Sequence, residues 1–109
     1  LASGTTGSTD IAERYATALY EMADEAQQLD AVAEDLRGLR GMLAESDELR
    51  QFIRSPIYDR AEQTRAVLAV LEAAKVGDLT RRFVGVVGQN RRLAALPAII
   101  DAYLETLAR

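Results

Sequence analysis

The chain has no histidine and no cysteine among its 109 residues. The first absence removes Ser-His-Asp and Cys-His nucleophilic catalysis, and with them the Glu-x-x-His metal sites of helical bundles. The second removes disulfides, so cysteine spacing says nothing about redox compartment, and the usual zinc ligand sets cannot be assembled. Lysine occurs once, at Lys75, which leaves the Ser and Thr hydroxyls without an evident activating base. Tryptophan is missing and aromatics make up only 6% of the chain, so a core has to be built from Leu, Ile, Val and Ala. No apolar run approaches the roughly 18 residues that span a bilayer, and direct membrane insertion is not expected. Gly4 and Gly7 precede no Lys-Ser or Lys-Thr and follow no apolar strand, so they do not form a phosphate loop.

What is present is typical of a soluble globular chain of one domain's length: 49% hydrophobic and 28% charged residues. The net charge is -4, which disfavours binding to phosphate backbones. Carboxylates cluster at Asp30, Glu34 and Asp35 and again at Glu45, Asp47 and Glu48. Neither cluster has the spacing of a calcium loop, and acidic residues near helix starts are stabilising in any case. They read as solvated faces; no metal and no cofactor is expected.

The hydrophobic period is helical throughout, with no sustained alternation and no Asn-Gly or Asp-Gly turn between apolar runs. Residues 1–9 are polar and Gly-rich, lack the features of a secretion signal, and are expected to be a flexible lead-in. A first helix is predicted from Asp10, its N-cap, with Glu13 reaching back and Ile11, Tyr15, Leu19, Met22 and Ala26 on one face. Ala12, Ala16, Tyr20 and Ala23 widen that face beyond the needs of one neighbour. Leu29, Val32, Leu36, Leu39 and Leu43 mark a regular second helix, weakened by Gly38 and Gly41. Ser46 is expected to cap a short third helix that Pro56 ends. Asp59 opens a fourth, with Val67, Leu68, Val70, Leu71 and Ala74 as its buried side and Gly77 as its left-handed C-terminal residue. Asp78 caps a fifth carrying Leu79, Phe83, Val86 and Val87. Leu93, Leu96, Ile100, Tyr103 and Leu107 form a sixth, which either starts late or bends at Pro97. The expectation is an all-α, compact six-helix bundle over residues 10–109.

Four residues admit two readings. Tyr15, Ala18 and Val86 are ordinary core and Asn90 caps the sixth helix, or else all four line a shallow trough. In the second reading helices one and five lie side by side, with Gly85 and Gly88 between them, and a partner's amphipathic helix docks there. Arg81, Arg82, Arg91 and Arg92 flank the fifth helix, as solvation of its polar face or as a contact patch.

Tyr15-Ala16-Thr17-Ala18-Leu19 resembles the first-helix signature of the delta subunit of bacterial F-type ATP synthases, whose mitochondrial counterpart is the oligomycin-sensitivity-conferring protein. Phe52-Ile53-Arg54-Ser55-Pro56-Ile57 is similar to that family's junction after the third helix, and Asn90-Arg91-Arg92-Leu93 with Leu96-Pro97 and Ile99 to its entry into the sixth. The match runs in order over residues 11–109. The resemblance implies a non-enzymatic stator domain on the catalytic head, at the cytoplasmic face of the bacterial inner membrane. It implies that the N-terminal segment of an alpha subunit binds between helices one and five. Carried over, Tyr15 and Ala18 match one wall and Val86 and Asn90 the other, with Ala12, Leu19, Phe83 and Val87 as neighbours. It assigns b-type stalk subunits to a C-terminal domain that these residues do not include. The rival reading is an all-helical RNA-binding factor of the transcription-antitermination type using the four arginines, against which the acidic charge counts.

Overall fold

In the computed structural model the backbone is described for residues 6–109 and the side chains from residue 10 onward. Six α-helices follow one another: α1 (Thr6–Glu25), α2 (Leu29–Glu45), α3 (Asp47–Arg54), α4 (Arg60–Ala73), α5 (Asp78–Gln89) and α6 (Leu96–Ala108). A 3-10 turn, Leu93–Ala95, leads into α6, and there is no strand among the described residues. The all-α bundle read from the period is the fold observed. Its centre is aliphatic: Leu19, Val32, Leu36, Leu71, Val84 and Ile100 are fully buried. α1 packs chiefly on α6 and α4 on α5, while α2 touches α6, α3 and α5.

Several helix ends differ from the expected ones, each for a local reason. α1 already runs from Thr6, so Asp10 lies inside it rather than at its cap; residues 1–5 of the expected lead-in fall outside the described residues. Gly77 is not the left-handed residue after α4. That role falls to Lys75 (φ 62°), with Val76 N–H donating to Leu71 O at 3.0 Å. The same closure ends α1 at Gln27 (φ 57°) and α5 at Arg91 (φ 60°). Three non-glycine residues thus accept a left-handed backbone to satisfy carbonyls the helix would orphan. Asp78 is the first residue of α5, not its cap, and Asn90 does not cap the sixth helix; it ends α5. Leu93, expected in the sixth helix, sits in the 3-10 turn, still buried. Pro97 then falls at the second position of α6, where its missing N–H costs no hydrogen bond, so the late start holds and no bend is needed.

Two caps are as read. The Ser46 hydroxyl accepts from Leu49 N–H at 3.0 Å, and the Asp59 carboxylate from Ala61 N–H at 3.2 Å. Arg50 supports the same corner, donating to Leu43 O and Ala44 O at the end of α2 and to Asp47. On α4, Thr64, Val67 and Leu71 form the buried line, whereas Val70 and Ala74 are exposed because α4 packs chiefly on α5 and meets α3 only lightly. Met22 and Ala26 of α1 are likewise open. Gly38 and Gly41 have free space where a Cβ would sit, so no close neighbour requires them.

α5 is positioned from outside its own sequence. The Asp35 carboxylate of α2 accepts from Gly77 N–H at 3.1 Å and from the buried Thr80 hydroxyl at 2.9 Å. A carboxylate there also meets the positive end of the α5 dipole. We predict that Asp35→Ala destabilises the fold by about 1–3 kcal/mol, since Thr80 is left buried without its partner. Urea denaturation of the variant measures it.

Tyr103 ties α6 to the start of α2. Its hydroxyl donates to Leu29 O at 2.8 Å, and its ring lies 5.7 Å from that of Tyr20. Burial, then the neighbouring Tyr20 and Asp30, pushes its pKa up from 10.0 to about 12. The fold therefore favours the protonated phenol. That contribution is complete below pH 10.0 and is lost as pH rises towards about 12, because the unfolded chain releases the proton first. Thermal melts should show stability falling across this alkaline window, with a shallower fall in Tyr103→Phe.

Candidate functional site at the junction of α1 and α5

α5 runs from Asp35 of α2 at its beginning to Tyr15 of α1 at its end. There the Asn90 amide Nδ2 donates to the Tyr15 hydroxyl at 2.9 Å. The Tyr15 ring stands edge-on to Phe83, with centroids 6.2 Å apart and planes at 75°. One half-buried side chain thus contacts α5 at two levels, by an aromatic edge and by a hydrogen bond. Ending α5 places the Asn90 side chain clear of the helix surface, with its backbone N–H bonded to Val86 O at 3.0 Å.

The eight sequence-derived positions divide into two sets. Tyr15 is half-buried, and Ala18, Val86 (53% exposed) and Asn90 are open to solvent. Ala12, Leu19, Phe83 and Val87 are buried in the core. Leu19, Phe83 and Val87 can support the junction from below but present little surface. Ala12 borders a different depression, shared with Arg40 and Asp101 between α1, α2 and α6. The ordinary-core reading therefore fails for Ala18 and Val86, and the capping of α6 fails for Asn90.

The glycines are not where the trough reading put them. A Cβ on Gly85 would touch Leu68, and one on Gly88 would overlap Thr64, both on α4. The smallness of Gly88 serves the α4–α5 contact, Gly85 has room for a Cβ, and neither opens a space between α1 and α5. Met22, 40% exposed, is a further open apolar side chain of α1 beyond the eight positions. It lies one turn beyond Ala18 and two beyond Tyr15, and that spacing is the signal that could have included it.

The four arginines do not gather. Arg81 and Arg82 pair with Asp78 in the first turn of α5, at 3.5 and 3.0 Å. Arg91 and Arg92 follow its last turn, about 15 Å away along the axis. Among the described residues no group of three or more carboxylates, histidines or cysteines could hold a metal.

The class these features define is an all-helical bundle whose junction of α1 and α5 carries open apolar side chains around a polar bridge. Residues 11–109 match the ATP synthase delta (OSCP) subunit family, and the chain belongs to it. The ATP synthase subunit delta of Rhodospirillum centenum is 50% identical over 109 residues, 100% of this chain and 59% of that protein. The subunit of the same name from Rhodospirillum rubrum is 46% identical over 108 residues, 99% of this chain and 58% of its own length. That from Azorhizobium caulinodans is 49% identical over 98 residues, 90% and 53% respectively. The chain thus spans somewhat more than half the length of these relatives.

Because the bridge is at the surface, removing it should barely move stability. We predict that Tyr15→Phe changes unfolding free energy by less than about 1 kcal/mol, the edge contact with Phe83 being kept. Amide shifts of the Asn90 side chain, read by NMR, should move towards those of a freely rotating amide.

Proposed function

We propose that the chain is a non-catalytic stator component of the proton-translocating ATP synthase. In this reading α1 and α5 bind the N-terminal helix of an alpha subunit and help hold the catalytic head against rotor torque. The observation that carries it is the Tyr15–Asn90 bridge. It joins the family-like segment of α1 to the family-like segment after α5 on one surface, where Ala18 and Val86 are open. A partner helix laid there would cover Ala18, Met22 and Val86 with its own apolar stripe. The name shared by the relatives, ATP synthase subunit delta, supports the assembly.

No described helix is long and apolar enough to cross a membrane. The proposed place is peripheral, at the cytoplasmic face of the bacterial inner membrane, with b-type stalk subunits engaged by a domain outside these residues. The RNA-binding alternative has less support, since two of its four arginines are paired with Asp78 and the other two lie at the far end of α5.

The test is a titration with an alpha-subunit N-terminal peptide. We predict that Ala18→Asp leaves the thermal melt nearly unchanged, because the side chain faces water in the free protein. In the complex the same carboxylate would be buried without a partner, at a cost of several kcal/mol, and each 1.4 kcal/mol is about tenfold in affinity. A folded variant with undiminished peptide binding would remove α1 from the site.

A further inference from the structure

Among the described residues five large hydrophobic side chains are open to solvent. Met22 and Val86 belong to α1 and α5; Ile57, Tyr58 and Val70 surround a separate depression between α3 and α4. That depression encloses about 980 Å³ and has an apolar floor of Met42, Leu49, Phe52 and Val67. It is held open by a built corner. Gln63 of α4 donates to Phe52 O at 2.7 Å and Ser55 O at 3.2 Å, and the Tyr58 ring lies against Phe52, centroids 4.7 Å apart and planes tilted by 53°. The Ser55-Pro56-Ile57 turn that follows leaves Ile57 82% exposed at the rim.

The charge of the rim selects the occupant. Glu45 and Glu48 line the depression, and among the described residues no Lys or Arg lines it and neither glutamate is in an ion pair. Its long walls are the helices α3 and α4, and the Ser55–Tyr58 turn at the rim is no strand, so an extended peptide would find no sheet edge to extend; a helix satisfies its own backbone and needs only the apolar floor. A second copy of this chain, at net charge -4, is disfavoured against an acidic rim.

We propose that the α3–α4 depression is a second docking site, for an amphipathic helix of a partner protein that carries Lys or Arg along the flanks of its apolar stripe. Leu49, Phe52, Ile57 and Val70 receive the stripe, and Glu45 and Glu48 face the basic flank. This site is separate from the junction of α1 and α5 and does not rest on the proposed alpha-subunit contact.

The experiment uses the 109-residue chain and a synthetic helix of about five turns, leucine at i, i+3, i+4 and i+7 and lysine on both flanks. A twin with glutamate for lysine and a scrambled peptide are the controls. Expected are saturable NMR shifts at Leu49, Phe52, Ile57 and Val70, and binding roughly five- to tenfold weaker for the glutamate twin. Glu45→Lys combined with Glu48→Lys should invert that preference. Ile57→Ser, an exposed change that leaves the core intact, should weaken both probes. The proposal is overturned if the shifts map to α1 and α5, if the scrambled peptide binds equally, or if charge reversal on either partner has no effect. It is also overturned if sedimentation shows the free chain self-associating through Ile57, since a second copy would then be the occupant.

Discussion

The candidate site depends on where α5 lies, and the tightest constraint on α5 is its contact with α4 at Gly88. Any side chain there would collide with Thr64, so the two helices approach as closely as backbone and hydroxyl allow. With that contact made, Phe83, Val84 and Val87 turn into the core and Val86 is left facing outward. The Asp35 carboxylate fixes the other end of the helix through Gly77 and Thr80. Only with both ends placed does Asn90 come within reach of Tyr15. The polar bridge at the surface is thus a consequence of packing on the opposite side of α5. It adds little stability of its own, which is the condition under which a surface can be recruited for binding without weakening the fold.

The helices were legible in the sequence because their burial is periodic, and periodicity is what packing in a bundle requires. Their ends were less so. Ser46 and Asp59 act as caps through their own side chains, and a local rule finds them. At α5 the capping carboxylate comes from Asp35, 42 residues before Gly77, so reading Asp78 as the cap followed the local rule to the wrong residue. The left-handed residues at Gln27, Lys75 and Arg91 carry no glycine signal at all. Tertiary contacts around each turn, such as the buried Val76 beyond Lys75, hold a conformation that the residue alone would disfavour.

Site legibility follows the same division. Composition and spacing placed Tyr15, Ala18, Val86 and Asn90 on faces that could meet, but could not say which of two faces of α5 held the glycines. They lie on the α4 side, and what spans α1 and α5 is Tyr15. Exposure separates the four accessible positions from Ala12, Leu19, Phe83 and Val87, a distinction that helical period cannot make when an apolar face is wide. Val70 was misread for the converse reason. It follows the apolar pattern of α4, yet nothing in the fold covers it.

An apolar pattern that the fold does not bury is therefore the more informative part of this chain. The core needs one line on each helix, and α1, α4 and α5 carry more than one. The surplus is not all scattered, as isolated surface hydrophobics normally are. Ile57, Tyr58 and Val70 collect around one depression, while Met22 stands open on α1 and Val86 on α5. Fixed polar arrangements lie nearby in sequence or space, the Tyr15–Asn90 bridge at the end of α5 that carries Val86 and the Gln63 contacts beside the α3–α4 depression. Exposed apolar side chains add nothing to the stability of the free protein and carry a solubility cost. Rigid placement next to ordered polar groups lowers the entropy lost when a partner binds, because the surface is already arranged. The two features together are what the proposed stator reading requires, since holding other subunits in place uses surface that is ordered before contact and left uncovered by its own fold.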